Sequence, residues 1–417
     1  PLIFTFDNLI KSGTIINKII LEPLKLLHIK QLIAETLYQD VNKVESLAEL
    51  VLEKTAGNPF FVHEFLKSLY QENLIKFNFD LIRWEWNIEQ IHNRNITDNV
   101  VELMINRFKK LPIATQEILQ FSACLGTNFN LNTLSLICHQ SPQDIFAHLK
   151  IALEIGLILP TSELNTELLI DDYKFLHNRV QQAAYTLISD EEKSVIHLQI
   201  GRLLLANTPS EELTVKLFEI VDHFNFCLEL ITEEIEKYQI IKLNIKAAEK
   251  AKLSTAYNAA QMYLTAAMTL LPQDSWVKEY TLTFALYRKT AEIEYLTANF
   301  SASESLINQA LEYAKTPAEK GELYNLLIIQ YTFKSENEKA IEAGKTALQL
   351  LGVSLPEGDY MQALYEEYQE IKQSLGDRTI SSLIDLPDMT DKEKKVVMKI
   401  LNYLVPPTFM SCQPLFF

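Results

Sequence analysis

Apolar residues along most of this chain recur three and four positions apart, the spacing of a single helix face. His28 to Tyr38, Val44 to Ala56 and Pro59 to Gln71 all carry it, so three helices are expected there. Gly57, Asn58 and Pro59 divide the second helix from the third: a glycine stop, an asparagine cap and a proline at the first helical position. Leu74 to Phe79 and Leu81 to Trp86 alternate instead, as the two arms of a small hairpin do. Upstream, Leu2 to Ile10 reads as a short amphipathic helix. Thr14 to Leu21 reads as a β-branched strand, followed by the linker Glu22-Pro23-Leu24.

Between Thr97 and Ile188 the pattern changes. Asp98 to Lys110 is a helix, and Pro112 starts another that runs to about Leu125. Asn130 caps a third, Leu131 to Cys138, and Ser141-Pro142 opens a fourth that ends near Gly156. Two short apolar runs, Leu157 to Pro160 and Tyr173 to Leu176, then flank a polar tip. Helices followed by a two-stranded wing predict a winged helix; a plain helical bundle is the alternative. The would-be recognition helix, Pro142 to Glu154, offers Lys150 as its fixed cation against Asp144 and Glu154, which argues against reading DNA.

From about Glu191 onward the pattern is helical throughout and repeats. Ala260 and Ala267, Ser303 and Ala310, and Ala340 and Ala347 are pairs of small residues seven apart. Each pair follows a turn marked by Tyr257, Phe300 or Asn337. Small residues at this spacing let the two helices of a hairpin approach closely, and stacked hairpins share a core. The repeats start 43 and then 37 residues apart, more than the ~34 of a tetratricopeptide repeat. An irregular α-solenoid is expected. Leu383 to Pro387 interrupts it and Asp391 restarts a helix.

Composition narrows the function. With 417 residues, 48% hydrophobic and 22% charged, the chain has room for two or three domains with sizeable cores. Only 10 glycines, with abundant Leu, Ala, Glu and Lys, favour helices. A net charge of −16 repels phosphate backbones and anionic lipids, so neither nucleic acid nor a membrane surface is an expected direct partner. Cys124, Cys138, Cys227 and Cys412 lie far apart and read as small buried hydrophobes in a reducing cytoplasm. No apolar run reaches the ~20 residues that span a bilayer.

Several stretches imitate catalytic machinery. Gly344-Lys345-Thr346 matches the tail of a Walker A loop, but Lys339 stands where the first glycine is needed. Leu168 to Asp172 imitates a Walker B strand and falls in the polar tip, in the wrong order for a P-loop ATPase. The eight histidines show no ligand spacing, so no metal site is expected and no catalytic residue is assigned.

Four phrases together resemble STAND-type AAA+ ATPases within large bacterial multi-domain serine/threonine and histidine signalling kinases. They are KTAGNPFFVHEFLKSLY (54–70), ITDNVVELMINRFKKLP (96–112), FLHNRVQQAAYTLI (175–188) and LIDLPDMTDKEK (383–394). The resemblance implies a mainly α fold: the last helix and strand of a truncated ATPase core over 1–24, a helical lid with its small hairpin over 25–95, a winged helix over 96–190, and a TPR-like α-solenoid over 191–417. It also implies that Gly57, Asn58 and Pro59 form the lid turn whose proline touches adenine. His177 takes the place of the histidine that contacts the β-phosphate of ADP at the end of the winged helix. Asn178 stands where the family has aspartate; it still caps the following helix but brings no negative charge. Read without the resemblance, His177 is a packed, hydrogen-bonded histidine at a helix start. His63 and Glu64, one turn beyond Pro59, face either nucleotide or solvent.

The resemblance therefore implies a cytoplasmic regulatory nucleotide switch and protein-interaction segment of an ATP-dependent signalling kinase. ATP or ADP, with Mg in the intact protein, would be its ligand, without tight binding to this chain alone. Its partners would be the ATPase core and kinase domains of the same polypeptide and a protein held by the solenoid. The chain itself lacks Walker A and B motifs and is not expected to be catalytic. A TPR-type adaptor scaffold and a STAND-class transcription regulator are the alternatives.

Overall fold

The computed structural model describes residues 21–93, 100–165, 169–355 and 360–411. The expected helix over Leu2 to Ile10 and nearly all of the strand over Thr14 to Leu21 lie outside them. The fold is mainly α, and the chain divides into two compact units, one ending at Ile196 and the other beginning at His197.

The first unit opens with α1 (Leu26–Leu37), α2 (Glu45–Thr55) and α3 (Pro59–Gln71), each packed on the next. Ala56 and Gly57 both take left-handed backbone, φ 48° and 73°, which ends α2. Asn58 then caps α3 by accepting from the Phe61 N–H at 3.0 Å, with Pro59 as first helical residue. The hairpin follows as β1 (Ile75–Asn78) paired antiparallel to β2 (Arg83–Trp86), with Ile75 opposite Trp86. A one-and-a-half-turn helix, α4 (Ile88–Asn93), comes next; its apolar content is too short for periodicity to reveal.

The unit continues with α5 (Val100–Phe108), α6 (Ile113–Leu125), β3 (Asn128–Asn130), α7 (Leu131–Cys138), α8 (Pro142–Glu154), β4 (Ile158–Pro160), β5 (Asp172–Phe175) and α9 (Asn178–Thr186). Three strands form one antiparallel sheet in the order β3-β5-β4. The sequence pattern identifies β4 and β5; of β3 it shows only Asn130, the cap of α7. Asn130 does both, pairing with Asp172 in the sheet and accepting from the N–H groups of Asn132 and Thr133. One hydrophobic core runs from Ile29 to Ala184, with Phe65, Phe108, Tyr173 and Phe175 among its largest buried side chains.

The helix α10 (Asp190–Asn207) crosses from the first unit into the second, which contains α11 (Leu213–Asn225), α12 (Glu234–Leu253), α13 (Tyr257–Leu270), a single turn α14 (Ser275–Lys278), α15 (Tyr280–Leu296), α16 (Phe300–Tyr313), α17 (Pro317–Phe333), α18 (Asn337–Leu350), α19 (Tyr360–Leu375) and α20 (Lys392–Met410). Helices α12 and α13, α15 and α16, and α17 and α18 pack as hairpins, and α20 lies on both α17 and α18. Tyr257, Phe300 and Asn337 are each the first residue of a hairpin's second helix. All six small residues of the repeat are fully buried. Gly344, the Walker A imitation, is a helix-packing glycine: a Cβ there would lie 2.4 Å from a methyl carbon of Leu404 on α20.

Candidate functional site

Gly57, Asn58 and Pro59 occupy a tightly clasped turn. The Leu24 N–H donates to the Gly57 carbonyl at 2.8 Å. A Cβ on Gly57 would sit 2.3 Å from the Leu24 carbonyl oxygen. Glycine is thus required twice, by its positive φ and by close backbone approach. Asn58 and Pro59 remain exposed at the surface of this turn.

His177 lies 118 positions after Pro59 in the chain, yet its ring stacks on Phe60, with centroids 4.2 Å apart and planes 8° from parallel. The fold therefore sets His177 against the residue that follows Gly57, Asn58 and Pro59, a phenylalanine not singled out from sequence. His177, not Asn178, is the N-cap of α9. Its backbone is extended (φ −155°, ψ 152°), and Nδ1 accepts from the Arg179 N–H at 3.1 Å. Asn178 is the first helical residue, so the expectation that it caps is corrected: the imidazole nitrogen does an oxygen's work at this helix end. Because Nδ1 accepts, the neutral ring carries its proton on Nε2.

One turn along α3, His63 and Glu64 part company. The His63 side chain is 69% exposed and that of Glu64 1%. The Glu64 carboxylate is held by the Arg107 guanidinium from α5, itself only 10% exposed, and by His63 Nδ1 at 3.1 Å. Arg107 also donates to the Ile155 carbonyl at the end of α8, at 3.1 Å, and burial pushes its pKa down. Lys67 reaches the same carbonyl at 3.4 Å. Sequence reasoning left Glu64 undecided and missed Arg107; its place inside the phrase MINRFKKLP was the only signal.

A separate hollow of about 250 Å³ lies beside α3, lined by Leu32, His63, Leu66, Tyr70 and Trp84. Its lining includes none of Pro59, Phe60 and His177. Among the described residues no three His, Cys, Asp or Glu are grouped to hold a metal ion, and no helix is long and apolar enough to cross a membrane. Cys124, Cys138 and Cys227 are unpaired, and burial raises their pKa values to about 12, 11 and 11. They are inert thiols rather than nucleophiles.

Comparison with known proteins adds context to this geometry. Residues 29–80, from α1 to the hairpin, match a family described only as a domain of unknown function, DUF8739. The chain is similar to hybrid signal transduction histidine kinase G of Dictyostelium discoideum, with 32% identity over 432 residues, covering 90% of this chain and 12% of that protein. It is also similar to the peroxide stress-activated histidine kinase mak3 of Schizosaccharomyces pombe, with 21% identity over 313 residues, covering 72% of this chain and 13% of that protein. Both relatives are eukaryotic, so they do not supply the bacterial setting of the sequence resemblance. A STAND protein with a tetratricopeptide repeat sensor, PH0952 from Pyrococcus horikoshii, is a structural neighbour at 15% identity and a TM-score of 0.38, covering 94% of this chain and 52% of its own. The chain thus resembles a segment of signal-transduction histidine kinases and spans about an eighth of their length.

Proposed function

We propose that this chain is a regulatory nucleotide-switch and protein-interaction segment of an ATP-dependent signalling kinase, with residues 25–95 as the lid and 96–190 as a winged helix. The observation that carries the reading is the stack of Phe60 on His177, which joins the lid turn to the head of α9. The helix–strand–helix–helix–strand–strand order with β5 central supports the winged-helix assignment. The residues present fit ADP. Exposed Pro59 offers a flat apolar surface for a base. The protonated Nε2 of His177 and the N-terminus of α9 suit a phosphate oxygen. Bound ADP would supply the negative charge and the base that tie these two sides together. His177 donates a hydrogen bond, and the Gly57–Pro59 turn orients the base. Differential contact with nucleotide in two arrangements is then the switch.

The test uses the protein as its gene encodes it. An 8-azido-ADP photolabel should map to the Gly57–Phe60 turn, and His177→Ala should speed ADP release about tenfold, within the range of ordinary coupling energies. Label elsewhere with unchanged release would overturn the reading.

A second reading, an adaptor scaffold, is favoured by a hollow of about 310 Å³ between α12, α13 and α15. Leu264 and Ile293 line it, and the pairs Lys252–Glu292 and Lys289–Glu249 flank it. Such a groove suits an extended protein segment. Reversing Lys252 and Lys289 to Glu should abolish partner capture if the groove is the docking site; undiminished capture would rule this groove out.

A further inference from the structure

Phe60, Glu64 and Lys67 stand at i, i+4 and i+7 on α3 and so share one face of the helix. All three reach residues that come after the hairpin: Phe60 the His177 ring, Glu64 the Arg107 guanidinium, and Lys67 the Ile155 carbonyl. Phe61, Val62, Phe65 and Leu69 are buried in the apolar core. Arg107 is the hub of the polar contacts, because it holds both Glu64 and the Ile155 carbonyl. Its helix, α5, also packs directly on α9, the helix that His177 caps.

A flat ring stack resists separation but leaves sliding and rotation in the plane free. A second attachment one turn along the same helix removes that freedom. The second attachment here is a charged pair whose two side chains are 1% and 10% exposed. Burying such a pair gains little over an apolar contact of the same size, whereas its geometry is demanding. Its effect is registry more than stability.

We propose that Glu64 and Arg107 are positioning residues for the Phe60–His177 stack, and that through it they set how long ADP is retained. The inference rests on the nucleotide reading given above. In the nucleotide-free chain the geometry alone is tested: Phe60 should shift the His177 ring protons upfield, seen by NMR with carbon-13-labelled histidine and assigned with His177→Gln. The variant Glu64→Met/Arg107→Leu removes both charges together and keeps an apolar contact. It should unfold at or near the wild-type temperature while the His177 signals move toward their exposed positions. Arg107→Lys keeps the charge but loses the fork to Ile155, and should shift the same signals partway; it preserves the test should the double variant not fold. In the gene-encoded protein, ADP release measured with a fluorescent ADP analogue should quicken about tenfold in the double variant. Folded variants with His177 signals at wild-type positions would overturn the positioning role. Moved signals with unchanged ADP release would overturn the nucleotide role and leave the geometric one standing.

Discussion

The two units hold their helices together by different means. In the first, unlike elements meet through individually placed groups. Glu64 meets Arg107, Gln181 donates to the Ala123 carbonyl and accepts from Thr127, and Phe60 stacks on His177. In the second, one solution is used again and again: a small residue at two positions seven apart, fully buried where the helices of a hairpin cross. Its inter-hairpin polar links include half-exposed pairs such as Arg288–Glu322, with side chains 32% and 37% exposed, beside the buried Gln330 that donates to the Phe300 carbonyl at 3.1 Å. The first unit thus specifies one arrangement by a few contacts that cannot be exchanged. The second distributes its stability over nearest neighbours, as repeat arrays do.

The largest expected effect separates these two designs directly. Arg107→Ala strands the Glu64 carboxylate in an interior it cannot leave, at a cost of about 3–5 kcal/mol. Arg202→Ala removes an equally well-formed pair with Glu236 in the second unit. There the arginine side chain is 50% exposed, and the loss should stay below about 1 kcal/mol. Urea unfolding followed by circular dichroism reads both. Equal losses would break the contrast.

Much of this division was legible in the sequence, and the reason is local chemistry. Asn58, Asn130, Ser141 and Asp391 cap helices where their side-chain oxygens and following residues predict. The small-residue pairs announced the hairpins because helix crossing needs them at a fixed interval. What stayed hidden depends on residues distant in the chain. Strand β3 has three residues and is defined by its pairing with β5, 42 to 46 positions later. Glu64 finds its partner 43 residues on. Nothing in the local pattern of α3 distinguishes a glutamate facing Arg107 from one facing water. His177 stands out in the sequence by resemblance, whereas capping is expected of Asn178, because an imidazole is not among the usual caps.

Glycines give the next contrast. Gly57 and Gly352 share nearly the same backbone, φ 73° and 76°. Added methyl groups would meet very different surroundings: the Leu24 carbonyl oxygen at 2.3 Å in one case, nothing among the described residues within 4 Å in the other. Gly352→Ala should therefore cost only the left-handed strain, about 1 kcal/mol. Gly57→Ala adds a clash with backbone that cannot rotate away, for about 2–4 kcal/mol in all. Thermal unfolding of the two variants side by side checks the difference.

Acidification should act through a pair in the second unit. His197 and His223 face each other with Nδ1 atoms 2.8 Å apart, beside Phe226. Burial holds both pKa values at about 4, with the neighbouring imidazole as a smaller cause for His223. These folded values lie below the ordinary ~6.5 of an unfolded histidine. The unfolded chain therefore binds more protons between pH about 4 and 6.5. Stability from this pair is fully present above the unfolded value and is lost as pH falls through that window. His197 keeps partial contact with solvent, so the total is about 1–3 kcal/mol. His197→Phe/His223→Leu should flatten the pH dependence of the melting temperature over this range; an unchanged slope would place its origin in the carboxylates.

The smallest effect is expected at two tyrosine hydroxyls, and it differs in sign between the units. Tyr173 is wholly buried against Phe129, and its hydroxyl has no hydrogen-bond partner among the described residues. Burial, with Asp171 nearby, also raises its pKa, so the group stays neutral at any ordinary pH. Tyr331 in α17 donates to Glu304 of the preceding hairpin at 2.7 Å. Removing a hydroxyl that already lost its water without gaining a partner relieves a penalty, so Tyr173→Phe should leave stability unchanged or raise it by up to about 1 kcal/mol. Tyr331→Phe deletes a bond that is made, and should lower stability by about 1 kcal/mol. Melting temperatures of the two variants decide the matter. A loss at Tyr173 as large as that at Tyr331 would mean that its hydroxyl holds a buried water, and the first unit would then owe its arrangement to one more placed polar contact.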